Sequence, residues 1–153
     1  MTNGPFGDEA SAIAEITRWI DEHFPNVHDG GRITFETLKP DVAVLRLASD
    51  PSQIRPGGTI SGPTMFKIAD LAVYVLILTA KGLAAREAVT SNLSINFLRR
   101  PKPVDVIARA ELLKLGRRLA NAQVTIYSAG DSRAVAHATA TYAIPDPDDA
   151  RTT

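Results

Sequence analysis

The stretch Ile54–Ala80, IRPGGTISGPTMFKIADLAVYVLILTA, decides the fold. It opens as a turn-rich loop in which Gly57, Gly58 and Gly62 break regular structure or permit close approach of backbone. Pro63 suits the first turn of a helix, where its missing N–H costs nothing, with Ser61 or Gly62 as the cap. From Thr64 onward apolar residues surround the helix instead of forming one stripe, so it is buried on most of its circumference. The apolar run of about seventeen residues falls short of a membrane span, and Lys67 and Asp70 interrupt it. A carboxylate in such a helix needs a physical reason.

Toward the N-terminus, residues 9–24 read as an amphipathic helix. Ile13, Ile16, Ile20 and Phe24 recur at intervals of three and four, and Asp8 is a plausible cap. Asp29-Gly30-Gly31 breaks the chain. Residues 32–38 and 42–48 then read as two strands joined through Lys39-Pro40-Asp41. Beyond the central helix, residues 88–97 alternate cleanly. Val89, Ser91, Leu93, Ile95 and Phe97 lie on one parity, and Thr90, Asn92, Ser94 and Asn96 on the polar one. Residues 104–115, 119–128 and 134–144 are three further strand regions, with a bend or bulge allowed at Gly116-Arg117-Arg118. Short polar turns predict that the last four strands form an antiparallel meander. The acidic, proline-containing tail from about residue 146 needs no structure.

The chain has 153 residues, enough for one domain spanning 1–153. It carries 17 basic and 17 acidic side chains, which gives no general reason to expect a nucleic acid or an anionic membrane as partner. Cysteine is absent, and His23, His28 and His137 are too scattered for a metal site. No basic segment followed by an apolar run opens the sequence, so a cytoplasmic location is expected. The predicted class is α+β: a sheet of about six strands wrapped round one long helix. The other face of that sheet stays partly apolar, which predicts a homodimer or a tetramer.

GGTISGPTMFKIADLA, then TSNLSINFLR and ATATYAIP, resemble the hotdog-fold acyl-CoA thioesterases of the phenylacetate-pathway type over about residues 30–145. The resemblance implies hydrolysis of an acyl-CoA, with the coenzyme A thioester as substrate and no separate cofactor. Asp70 falls on the position of the family's acid, which activates water or attacks the thioester. Gly62 falls on the glycine that leads the helix, and Thr90 on a strand residue that assists water. The family asparagine is replaced here by Arg55, its histidine by Ser61 and its second glycine by Pro63. Gly62 and Thr64 would still offer backbone N–H groups to a developing oxyanion, and Ser61 a hydroxyl. Arg55 would bind an anionic part of the substrate or pair with Asp70. Tyr74, one turn beyond Asp70, would line the acyl pocket or simply pack in the core. Arg99, Arg117 and Arg118 would suit the phosphates of coenzyme A. In such enzymes the site lies between subunits.

Two other functions compete. A non-catalytic acyl-thioester binding protein would keep the fold and lose the usual loop. A hotdog dehydratase would want a histidine paired with the acid, and none stands near the loop.

Overall fold

The computed structural model describes residues 4–27, 32–50, 54–56 and 59–146, without the side chains of Arg55 and Thr59. Gly57, Gly58, His28, the possible interactions of the Arg55 side chain, and the tail beyond Asp146 therefore lie outside the described residues.

Helix α1, Glu9–His23, starts where the Asp8 carboxylate accepts a 2.7 Å hydrogen bond from the Ser11 N–H. Its apolar stripe buries Ala12, Ile16 and Ile20. It stops one residue short of the expected end, because Phe24 leaves helical geometry and Pro25 follows. Strands β1, Ile33–Lys39, and β2, Val42–Leu47, form the expected hairpin over Pro40 and Asp41. The loop before the central helix contains a short ladder, β3 at Ile54–Arg55 against β4 at Thr59–Ile60.

Helix α2, Gly62–Lys81, settles the cap in favour of Ser61, whose Oγ accepts from the Thr64 N–H. At its far end Gly82 adopts a left-handed φ of 82° and returns its N–H to the Leu78 carbonyl. Its 20 residues make α2 long and apolar enough to cross a membrane, longer than the sequence suggested. Instead it is a core helix. Ile68, Ala69, Ala72, Val73, Val75, Leu76, Ile77 and Leu78 are at most 1% exposed, wrapped by the sheet.

Four long strands follow: β5, Val89–Phe97; β6, Val106–Leu115; β7, Leu119–Ser128; and β8, Ala134–Ala143. With β1 and β2 they build one six-stranded antiparallel sheet in the order β1-β2-β6-β7-β8-β5. The expected meander is thus corrected. β6, β7 and β8 follow one another, but β5 pairs with β8 at the edge, not with its sequence neighbour β6. The connection after β5 contains Pro101 and Pro103 and is too long for a hairpin. Both Leu98 and Arg99 direct their N–H groups to the Val135 carbonyl, which fastens the end of β5 to β8.

The concave face is lined by Ala108, Ala110, Ala120, Ala122, Ala136, Ala138 and Ala140, all buried. Their small side chains let the sheet curl closely round α2. This α+β architecture, a six-stranded antiparallel sheet wrapped around a long central helix, is the hotdog fold.

Candidate active site

Asp70 lies at the ninth position of α2, on the side facing β5 and β8. Two hydroxyls converge on one oxygen of its carboxylate. Thr90 Oγ1 donates to Oδ1 at 2.6 Å, and the Tyr142 hydroxyl lies 2.6 Å from the same atom and 2.9 Å from the Asp70 backbone carbonyl. No protein group among the described residues holds Oδ2. Lys67, one turn earlier and exposed, forms no ion pair with Asp70.

The local fold explains how Thr90 arrives there. Thr90 stands opposite Tyr142 across the β5–β8 ladder, and a β-bulge interrupts the register between Thr90 and Asn92. Beyond the bulge, Leu93 faces Ala140 and Ile95 faces Ala138, so these residues point to the concave side. Ser91 is the extra residue, and it puts Thr90 on that same side although plain alternation would turn it outward. The polar parity seen in the sequence therefore does not carry Thr90 away from the helix.

Tyr142 is the residue of this candidate site that sequence reasoning passed over. It is 3% exposed. Burial first, and then its bond to Asp70, push the phenol far above its ordinary range, so it stays protonated and acts as a hydrogen-bond donor. The available signal was a tyrosine among alternating alanines and threonines in ATATYAIP, where a plain core strand needs no hydroxyl.

Asp70, Thr90 and Tyr142 line a cavity of about 320 Å³. Leu71, Tyr74, Ala88 and Val89 form more of its wall, as do Ile20 of α1 and Phe24 and Val27 just beyond it. Tyr74 thus does line the cavity. Its hydroxyl accepts from Trp19 Nε1 at 3.2 Å and donates to the Arg86 carbonyl at 2.8 Å, and burial raises its pKa.

The remaining sequence candidates are spread along α2. Ser61 Oγ serves as the cap and shares a 2.7 Å hydrogen bond with Thr64 Oγ1. Pro63 occupies the first turn. A Cβ on Gly62 would stand 3.2 Å from the Phe97 ring, so the helix start lies against the end of β5. Gly62 precedes Asp70 by eight residues, roughly 12 Å along the axis, so within one chain the helix start and the carboxylate do not meet. Arg99 is exposed just after β5, near the start of α2. Arg117 and Arg118 lie at the opposite end. Lys81 Nζ donates to the Arg117 carbonyl, and both guanidinium groups stand 3.8 Å from Asp146. The basic side chains therefore form two separate groups, one at each end of α2. His137 bonds Gln123 across β7 and β8, away from Asp70. Among the described residues, no three His, Asp or Glu side chains cluster as metal ligands would.

Residues 57–135 match the family model described as the thioesterase superfamily. The chain is 38% identical to a candidate thioesterase of known structure from Silicibacter sp. TM1040, with a TM-score of 0.77 and coverage of 87% of this chain and 91% of that one. The PaaI protein of the E. coli phenylacetic acid degradation operon has the same fold: TM-score 0.75, 17% identity, coverage of 88% and 94%. So does a thioesterase-type protein from Streptococcus pneumoniae TIGR4, whose structure contains coenzyme A: TM-score 0.71, 22% identity, coverage of 82% and 95%. No curated protein matched the sequence. The matched family model spans more than half of the chain and agrees with the architecture built from its strands and helix: this chain belongs to the thioesterase superfamily, in its hotdog fold.

Proposed function

We propose that the protein is an acyl-CoA thioesterase of the phenylacetate-pathway type, with Asp70 as base or nucleophile. The observation that carries this reading is the carboxylate at the cavity wall, with Oδ1 fixed by Thr90 and Tyr142 and Oδ2 left for chemistry. Acting as base, Oδ2 takes a proton from water while the water oxygen bonds to the thioester carbonyl carbon. The C–S bond then breaks, the thiolate leaves, and the proton returns to sulfur. Acting as nucleophile, Oδ2 bonds to the carbonyl carbon, the C–S bond breaks and the thiolate leaves; water then adds to the acyl carbon of the mixed anhydride, releasing the acid and the Asp70 carboxylate, and its proton passes to sulfur.

The developing oxyanion needs donors, and the start of α2 offers the N–H of Gly62 with a favourable dipole, the Thr64 N–H being already given to Ser61 Oγ. Gly62 precedes Asp70 by roughly 12 Å along the helix axis, so on this reading a second copy supplies the complementary helix start. β5 supports this. It is an edge strand flanked by exposed Val89, Phe97, Leu98 and Phe66, and self-pairing along it would bury them in a two-fold homodimer. Arg99, Arg117 and Arg118 are the candidates for the phosphates of coenzyme A, with Arg55 beside the loop.

The test is thiol release from a panel of short, medium, long and aromatic acyl-CoAs by the wild type and by D70N. Turnover that D70N abolishes is the expected result. Tight acyl-CoA binding without turnover would replace the enzyme with an acyl-thioester binding protein. The exchange of the family's asparagine, histidine and glycine for Arg55, Ser61 and Pro63 is what favours that second reading.

A further inference from the structure

The cavity beside Asp70 has a polar end and an apolar end. Along α2 its wall runs from Lys67 through Asp70 and Leu71 to Tyr74, roughly 10 Å by helical rise. The hydroxyls of Thr90 and Tyr142 gather at Asp70. At the other end stands Tyr74, whose hydroxyl is already occupied by Trp19 and Arg86. Phe24 meets the Tyr74 ring edge-on, with centroids 5.9 Å apart, and Ile20 completes that wall. Ile20 and Phe24 therefore bound the apolar end of the cavity on the α1 side, and the polar side chain there, Tyr74, already has its partners.

We infer that the end of α1 sets the length of the acyl group, with Phe24 as the specificity-determining residue. The inference rests on Asp70 marking the thioester carbonyl. The acyl group then runs from Asp70 toward Phe24 and Tyr74. Its far end is apolar, since a polar terminus would be desolvated against groups already paired. Allowing roughly 30 Å³ per methylene-sized group, the liquid-water share, the whole cavity of about 320 Å³ has room for about ten such groups, and because its Lys67 end lies beyond the carbonyl, the acyl chain that fits is shorter than that. The substrate class is thus a medium-length, unfunctionalised acyl thioester.

The experiment measures dissociation constants of straight-chain acyl-CoAs, from acetyl to palmitoyl, on the D70N protein by calorimetry. KM is measured in parallel on the wild type. Each methylene that enters the cavity tightens binding about fourfold, until the chain meets Phe24 and the trend breaks below about ten carbons. F24A moves that break to longer chains. Leu71→Trp, which fills the cavity from α2, moves it to shorter ones. A break at the same length in all three proteins, or affinity rising unbroken to palmitoyl, overturns the inference. Failure of the wild type to release thiol from any chain overturns the hydrolytic reading instead, and the break in binding to D70N still decides whether α1 measures the chain.

Discussion

The hydroxyl of Tyr142 on β8 lies 2.6 Å from Asp70 Oδ1 on α2, although 72 residues separate them in sequence. A second bond, 2.9 Å to the Asp70 backbone carbonyl, ties the same hydroxyl to the helix itself. The last strand of the sheet thereby fixes the orientation of a carboxylate on the central helix. Replacing Tyr142 by Phe keeps the ring in its buried slot and removes only this link. Hydrogen bonds to charged groups are worth roughly 1.5–3 kcal/mol, so Y142F lowers kcat about tenfold or more with little change in KM. Steady-state kinetics beside a thermal melt check this. An unchanged kcat in a folded Y142F protein would remove Tyr142 from the site.

Tyr142 also ties stability to alkaline pH. Its phenol titrates far above the ordinary value of 10.0 when folded, because of burial and the neighbouring carboxylate. The folded state therefore holds the proton that the unfolded chain releases. This contribution is fully present below about pH 10 and is lost as pH rises toward the folded value, with a slope of at most about 1.4 kcal/mol per pH unit. Denaturant melts between neutral and strongly alkaline pH should fall less steeply above that point in Y142F than in the wild type. Tyr74, raised in the same direction by its burial, adds a smaller fall that both proteins share.

By the resemblance Ser61 takes the place of a family histidine, yet its oxygen is occupied by the N–H and hydroxyl of Thr64. S61A therefore acts first on the helix cap, costing about 1 kcal/mol. In a protein of this size that lowers Tm by about 2–4 °C. If Ser61 instead contacts the thioester, kcat falls by far more than the melting point suggests, and the two measurements together tell the roles apart.

A shared site has a genetic signature. Gly62→Val places bulk against the Phe97 ring at the helix start, and D70N removes the carboxylate. Each variant alone is expected to be inactive. After denaturation and refolding together, random pairing yields mixed dimers with one intact composite site of two, restoring about a quarter of wild-type activity. Mixed protein as inactive as its parents would place both groups of each site in one chain.

Local signals in the sequence specified the helices. The Ser61-Gly62-Pro63 start and the apolar circumference gave α2 within a residue or two. The spacing of Ile13, Ile16, Ile20 and Phe24 gave α1. Pairing across distance was not legible. Residues 88–97 alternate identically whether β5 joins β6 or β8, and hydropathy does not distinguish those partners. The bulge after Thr90 changes no residue type, yet it reverses the side on which Thr90 stands. Asp70 and Thr90 were thus visible as site residues by resemblance, while Tyr142 was hidden. Its role depends on a partner on another element, and a tyrosine in a strand is otherwise ordinary core.

The pairing of β5 with β8 also imposes an order of assembly. The hairpins β6–β7 and β7–β8 close through short turns, but β5 has no neighbour to hold it until β8 is in place. Long-range pairing of this kind carries a loop-closure cost that local hairpins avoid. β5 should therefore dock late, after the rate-limiting step, and Thr90 with it. Substitutions that loosen its seam with β8, such as Ile95→Val, are expected to speed unfolding and leave the folding rate nearly unchanged. The Asp70 carboxylate then gains its full set of hydrogen bonds only as the last strand pair zips shut, so a partly folded chain presents the cavity before Asp70 is held in place.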